Sequence, residues 1–514
     1  MTAVSRPAAR GYIAALLAAF LGWLFDGFEM GLFPLIGKPM LTDLKESMDW
    51  FPVIIATFLV GAATGGVLFG WLGDKLGRVK AMALAIFTFA IFSGLCGLVQ
   101  NATHFTLLRF VASLGMGGEW SLGVALVNEL WAGRNRAWIA GMIGAASNVG
   151  FLLTGILSMY LKAHPETLIQ ALASFNLPPK WIGMDAWRII AISGALPALI
   201  NFFILFAVPE SHKWEEEKAA GKTSHWATGD LLGVLVAGLA AMAIIYVWSP
   251  LWRAGLVPEL LLKAGVVIPA IVTFVGLPVA MLGYLHPVRR YMGRSAAAQP
   301  GDAGEHKGVM GKLVLGAILA GVALLGTWGS AQQAAKWATE LLPKDNKFPI
   351  MDHVVITTAL GAIIVSLLTP LVADKLGRRI TYTLLCILSF GAAYAFFKTN
   401  TPFASVGSML PPWFYLSAFL LGGLTASFYG FFPLYFPELF PTSVRATAQG
   451  FCFNFGRVVA AVGALQFANL VRVFGGTIGD SATEAKAYMA LCCVYFIGMV
   501  LVWFAPETKG HQLK

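Results

Sequence analysis

About fourteen apolar runs, most near the length of a membrane span, follow one another along this sequence with short charged loops between them. A helix needs about 20 mostly apolar residues to cross the hydrocarbon core of a bilayer, and a singly anchored protein would need one such run only. Of the 514 residues, 58% are apolar and 12% charged, and mean hydropathy is +0.73. That is more apolar surface than a water-soluble fold of this size buries, so lipid is the solvent for much of the chain. The expected fold class is an all-α polytopic membrane protein.

The runs lie near residues 11–37, 51–73, 80–100, 104–131, 138–162 and 186–208, then 231–250 and 256–285, then 309–337, 352–373, 380–397, 411–436, 446–472 and 486–505. The polar stretches SHKWEEEKAAGK and RRYMGRSAAAQPGDAGEHKG divide them into groups of six, two and six. The expected organisation is a six-helix bundle over 1–210, a linker with two extra helices over 211–308, and a second six-helix bundle over 309–514. Arg6 and Arg10 precede the first run as in a signal peptide, but the run outlasts an h-region and contains acids, so it reads as an uncleaved first helix.

The formal net charge of +10 reports topology rather than a nucleic-acid partner, because the cations sit in short clusters between apolar runs. An even number of spans puts both termini on one side, and the loops holding Lys75, Arg78, Lys80, Arg134, Arg136, Lys375, Arg378, Arg379 and Arg445 then all face the cytoplasm of an inner membrane. The five cysteines lie in apolar runs without disulfide or zinc spacing, and the eight histidines show no metal-ligand pattern. No metal or other cofactor is expected.

Internal repeats organise the chain further. GWLGDKLGRVK returns as PLVADKLGRRI, so Asp74 and Asp374, Gly77 and Gly377, and Arg78 and Arg378 stand 300 positions apart. NELWAGRNRAWIAG returns as PELFPTSVRATAQG, pairing Glu129 with Glu438 and Arg136 with Arg445; Asn148 and Gly150 return as Asn454 and Gly456, and Pro209-Glu210-Ser211 returns as Pro506-Glu507-Thr508. Four motifs in the same order make two pseudo-symmetric halves. Parallel repeats of this kind place a solute site at the midplane between the halves, with alternating access by rocking.

At GDKLGR and its copy ADKLGR the sequence resembles the major facilitator superfamily, whose signature occupies the loop after the second helix of each half. LGWLFDGFEMGLFPLI, RFVASLGMGGEW, FPLYFPELFPTSVRA and the PES and PET ends narrow the resemblance to the sialate/monocarboxylate:proton symporter and metabolite:proton symporter branches. The extra helix pair is similar to that of fourteen-helix sialic acid symporters. The resemblance implies proton coupling between an acid of the first helix and an arginine of the fourth. Where such relatives often carry aspartate as the second acid of DG[FY]D, this chain has Glu29, one methylene longer.

Four ionisable groups within spans need explaining, because each costs roughly 2.5–3.5 kcal/mol on insertion scales and is expected to be paired. Asp26 and Glu29 are three apart and are expected to share a face of the first helix, with Arg109 and Glu119 in the fourth. At about 1.5 Å rise per residue, Asp26 falls about 3 Å and Glu29 about 7 Å outward of the helix centre, and Arg109 about 12 Å outward in the antiparallel helix. An extended arginine spans the difference to Glu29. One reading is a carboxylate whose protonation releases Arg109; the other is a static salt bridge that fixes packing. Glu119 either shapes the cavity or binds a proton. The glycines of GMGGEW lie in an apolar helix and serve close packing.

Candidate substrate contacts are Trp328, Gln332 and Gln333 in the seventh span, and Asn148, Asn454 and Arg457. Arg457 stands where the first half has Phe151, so a cation occurs in one half only; it either binds a carboxylate by charge-assisted contacts or belongs to a cytoplasmic gate. That gate is expected from Asp74, Arg78, Glu129, Arg134 and Arg136 with their copies Asp374, Arg378, Glu438 and Arg445. Nothing resembles a Walker loop or a nucleophile–base pair. The expectation is a monomeric secondary transporter, not an enzyme, carrying a small organic acid with protons. A neutral sugar or polyol carrier, an exporter of amphiphiles and a non-transporting sensor are the alternatives.

Overall fold

The computed structural model describes residues 9–131, 135–164, 186–194, 199, 205–249, 252, 265–298, 308–343, 346, 348–404 and 409–510. Among these, thirteen helices are long and apolar enough to cross a bilayer. The first bundle contains α1 (Ala9–Asp43), α2 (Trp50–Leu76), α3 (Arg78–Leu95), α4 (Ala102–Leu130), α5 (Arg136–Ala163) and a short α6 (Ala186–Ser193). In the sixth expected span, 186–208, residues 195–198 and 200–204 lie outside the described residues. Large apolar side chains face outward along these helices, with Phe274 82% and Leu282 62% exposed in the inserted pair, a surface that only hydrocarbon would solvate without cost.

After the amphipathic α7 (His212–Ala219) come α8 (Leu231–Trp248) and α9 (Val267–Ala298). The second of these starts later than 256 and runs well past 285, so much of the expected polar link is helical. Its charged end is stabilised locally: Arg294 pairs with Asp230 and donates to the His225 carbonyl at 2.6 Å. α8 and α9 pack on each other and rest on α2 and on a helix of the second bundle, where the Thr64 and Tyr284 hydroxyls share a hydrogen bond of 2.7 Å.

The second bundle comprises α10 (Val309–Trp328), α11 (Ala331–Thr339), α12 (Ile350–Leu376), α13 (Arg378–Thr399), α14 (Pro412–Ala426), α15 (Phe428–Leu439), α16 (Arg445–Val473), α17 (Ser481–Cys492) and α18 (Val494–Leu501). Three expected single spans are interrupted, at Gly329-Ser330, Ser427 and Cys493. The freed backbone is partly re-bonded by side chains, as where Thr327 donates to the Thr425 carbonyl at 2.6 Å.

Each repeated GDKLGR or ADKLGR motif reverses the chain through one glycine, Gly77 at φ 111° and Gly377 at φ 96°, a region that side chains with a Cβ rarely adopt. The PES and PET motifs stabilise the helices that follow. Glu210 accepts from the backbone N–H of Arg78 at 3.0 Å and Val79 at 3.3 Å, and Glu507 accepts from Arg378 at 2.9 Å and Arg379 at 3.1 Å. Each carboxylate thus satisfies orphan donors at a helix N-terminus. Burial pushes Glu210 above the usual carboxylate range; burial acts the same way on Glu507, but the N–H groups of Arg378, Arg379 and Lys509 hold it below that range.

The bundles meet along two seams, α2 against α16 and α5 against α12, with α15 also on α5. Glycine makes the first seam close: a Cβ at Gly70 would stand 2.8 Å from the Ala446 carbonyl oxygen and 2.9 Å from the Thr447 Cα, both backbone atoms that cannot swing aside. Gly70→Val is expected to overpack this seam by about 1–3 kcal/mol and to lower the melting temperature of the detergent-solubilised protein. Gly391→Val, where a Cβ meets nothing within 4 Å, is expected to leave it unchanged; equal losses for both would contradict the seam's tightness.

Candidate functional site

At one end of the molecule the repeated charges form a knot across the α2–α16 seam. Arg78 lies 2.7 Å from Asp74 and 3.1 Å from Glu129, and all three side chains are fully buried. Glu129 also takes Arg445 of the second bundle at 3.2 Å and the Ser211 hydroxyl at 2.5 Å. Asp74 sits at the N-terminus of α16, accepting from Thr447 N–H at 2.9 Å and its hydroxyl at 2.5 Å, where a carboxylate complements the helix dipole. Arg78 donates across the seam to the Thr442 carbonyl at 3.0 Å. The bundles are therefore locked together at this end.

The second copy is built differently. Arg378 holds Glu438 at 2.7 Å and Asp374 at 3.3 Å, but the Asp374 side chain is 59% exposed. Its cross-bundle link is Arg136, 3.5 Å from Glu438. Arg134 lies outside the described residues. On the other seam, Ser158 of α5 donates to Asp352 of α12 at 2.7 Å, both buried.

Glu29 and Arg109 form a buried ion pair inside the first bundle. The guanidinium lies over the rings of Phe58 at 4.6 Å and Phe33 at 5.6 Å, and a narrow cleft lined by Phe33, Ile36, Ser93 and Phe105 adjoins the pair. Arg109 Nε and Glu29 Oε2 have no hydrogen-bond partner. A proton on Glu29 would remove the attraction that holds Arg109 there.

A separate cluster lies where α1 and α4 meet α15 and α16. Trp120 stacks on Phe453 with centroids 3.8 Å apart, Trp23 stands 6.4 Å from Trp120, and Tyr429 is 6.1 Å from Phe453. The Arg457 guanidinium lies 5.3 Å from the Phe453 centroid and 5.7 Å from that of Trp23, within electrostatic range of Asp26 and Tyr429. Asp26 in turn feels Glu119. Arg457, Asp26 and Glu119 are 3%, 0% and 3% exposed, so the cluster is sealed from water. Both Asp26 oxygens, Arg457 Nη1, the indole N–H groups of Trp23 and Trp120, and both polar atoms of Gln449 lack partners. Buried polar groups are ordinarily hydrogen-bonded, and these are not.

Two bundles, repeated motifs and a sealed site between them are the plan of one transporter class, and the pattern of the Major Facilitator Superfamily matches residues 14–341. The chain belongs to this superfamily. Residues 342–514 of the transporter match the family described as Sugar (and other) transporter. It is 24% identical to the cis,cis-muconate transport protein of Acinetobacter baylyi over 98% of this chain and 97% of that one, and 25% identical to the sialic acid transporter NanX of Escherichia coli over 51% and 61%. The proton:xylose symporter XylE shares the fold, with TM-score 0.65, 17% identity and 98% of both chains covered.

The structure distributes the expected site residues of the transporter among separate places. Glu29 pairs with Arg109 within the first bundle, whereas Asp26 makes no hydrogen bond and lies within electrostatic range of Glu119 and Arg457. Three residues leave a rotation of about 60° between side chains, enough to separate them when a helix is enclosed on several sides. Arg457 lies among the central rings, away from the charged knot. Trp328 lies beside Tyr429 of the cluster, whereas Gln332 and Gln333, half-buried in α11, make no side-chain polar contact with it. Asn454 crosses the seam to the Gly117 carbonyl at 3.3 Å, and Asn148 bonds to Gly144 of its own helix at 3.4 Å.

Sequence reasoning overlooked Trp23, Trp120, Tyr429, Gln449 and Phe453. The i, i+4, i+8 spacing of Gln449, Phe453 and Arg457 was the available signal, since it aligns them on one face of α16. The unequal knots predict unequal mutants. Asp74→Asn breaks a buried pair, a change worth about 3–5 kcal/mol, and is expected to speed maleimide labelling of Ser443→Cys beside the knot; Asp374→Asn, at an exposed pair worth below about 1 kcal/mol, is expected to change that rate little.

Proposed function

We propose that the protein is a proton-coupled symporter of a small organic acid, of the sialic acid or monocarboxylate type, working by alternating access as a monomer in an inner membrane with both termini cytoplasmic. The observation that carries this is Arg457: a buried guanidinium between the bundles, with an unpartnered N–H and aromatic rings on two sides. A carboxylate would satisfy it by a charge-assisted bond, and the rings would cover an apolar or planar body. The names of the muconate and sialic acid relatives agree with an acidic substrate.

Coupling falls to Glu29 and Arg109. Protonated Glu29 releases Arg109, and movement of α1 against α4 then shifts the balance between states. The knot of Asp74, Arg78, Glu129 and Arg445 keeps one end closed while the other opens, and its rupture permits the opposite rocking. The cations gathered near Gly77 and Gly377 support placing that end in the cytoplasm. A neutral sugar or polyol fits less well, because it brings no negative charge to the unpartnered Arg457 N–H.

Uptake into proteoliposomes of N-acetylneuraminate, pyruvate, lactate, benzoate and a hexose, with and without an inward proton gradient, tests the reading. Gradient-driven accumulation of a carboxylate and not of the hexose is expected; hexose uptake alone would reject it. Arg457→Ala is expected to raise KM about 10–100-fold, the loss of a charge-assisted bond of about 1.5–3 kcal/mol. Glu29→Gln is expected to lower proton-driven accumulation sharply while exchange of labelled for unlabelled substrate persists. Wild-type pH dependence in Glu29→Gln would remove Glu29 from the coupling role.

A further inference from the structure

The central cluster poses a problem of charge that the Glu29–Arg109 pair does not solve. It holds two acids, Asp26 and Glu119, and one cation, Arg457, all nine-tenths or more buried. The one cation balances one ionised acid, so a carboxylate arriving at Arg457 would add an uncompensated negative charge to a space closed to water. In such a space an excess charge is removed by taking up a proton.

The neutralising proton must sit within the cluster. α4 contributes Glu119, α15 contributes Tyr429 and α16 contributes Arg457; the titratable Asp74 of α2 and Arg136 of α5 are committed to the charged knot, and Arg109 to Glu29. The indoles of Trp23 and Trp120 and the amide of Gln449 do not become cations. Asp26 is the acceptor the geometry favours, because both its oxygens are buried without any hydrogen-bond partner, three residues along α1 from the ring that faces Arg457.

Resting on the carboxylate reading above, we propose that Asp26 is a second proton-carrying group, distinct from Glu29, so that each monocarboxylate crosses with two protons and one net positive charge. With the site empty, ionised Asp26 offsets Arg457. Substrate takes over the guanidinium, Asp26 takes up a proton, and both leave together on the other side. The substrate's single negative charge and the two protons, one on Asp26 and one on Glu29, account for the charge moved.

The four monocarboxylates N-acetylneuraminate, pyruvate, lactate and benzoate are assayed in proteoliposomes under two conditions. With the potential clamped to zero and one unit of inward pH gradient, each proton carried multiplies accumulation about tenfold, so about hundredfold is expected for two. With no pH gradient, an inside-negative potassium diffusion potential is expected to drive accumulation by itself. Asp26→Asn, which mimics the protonated acid, is expected to fall to about tenfold and lose the response to potential. Wild-type accumulation of about tenfold with no response to potential overturns the second proton, whatever the variant does; an Asp26→Asn protein still carrying two protons overturns its assignment to Asp26. If none of the four accumulates with the pH gradient, the carboxylate reading itself fails and this inference falls with it.

Discussion

Charge buried where water cannot reach must be answered by charge or by hydrogen bonds, and in this protein that requirement is met across the boundary between the bundles. Arg78, Asp74 and Glu129 belong to the first bundle, but the valences left over after they pair with one another are filled by Arg445, the Thr442 carbonyl and the start of α16. Neither bundle is electrostatically complete alone at this end. The same contacts hold α2 against α16 closely enough for Gly70 to touch backbone, and the central cluster is sealed as a consequence. A single seam thus sets the register of the halves, the closure of one end and the dryness of the site.

The duplicated motifs have diverged in what they do. In both halves a glycine turns the chain, an arginine anchors two acids and a carboxylate from the PES or PET motif caps the next helix. Only in the first copy does the aspartate reach across: Asp74 binds α16, while Asp374 faces outward and the second copy's link is Arg136 to Glu438. The bundles are therefore joined at this end by one strong knot and one weaker link. The central site shows the same divergence, with Arg457 in the second half answering acids that occur in the first.

The parts of the site that could be read in advance were those written twice or written against expectation. Asp74, Arg78, Glu129 and Arg445 stood out because they recur in order, and Glu29 and Arg109 because ionisable groups are costly within spans. Glu210 and Glu507 recur as well, yet their capping role is invisible until the turns at Gly77 and Gly377 bring them beside Arg78 and Arg378. Trp23, Trp120 and Phe453 gave little warning, since an aromatic residue in an apolar run is ordinary. The long extension of α9 was obscured because Arg289, Arg290 and Arg294 read as a loop, although a helix leaving the membrane carries such charges without interruption.

The sequence by itself determined that the chain lives in a bilayer, that its spans are helices, that it is duplicated about an insertion and that its charges concentrate at one end of each half. Those properties follow from local composition and spacing, which a span of about 20 residues expresses completely. Only the tertiary structure decided which acid meets which cation. Asp26 and Glu29 are neighbours in sequence, yet Glu29 pairs with Arg109 and Asp26 lies in the central cluster near Arg457, whereas Asp74 and Thr447 lie far apart in the chain and Asp74 accepts from the Thr447 N–H and hydroxyl. The reason is rotational: side chains three apart on a helix diverge by about 60°, and which neighbour each then faces depends on how helices from the two halves are packed around it.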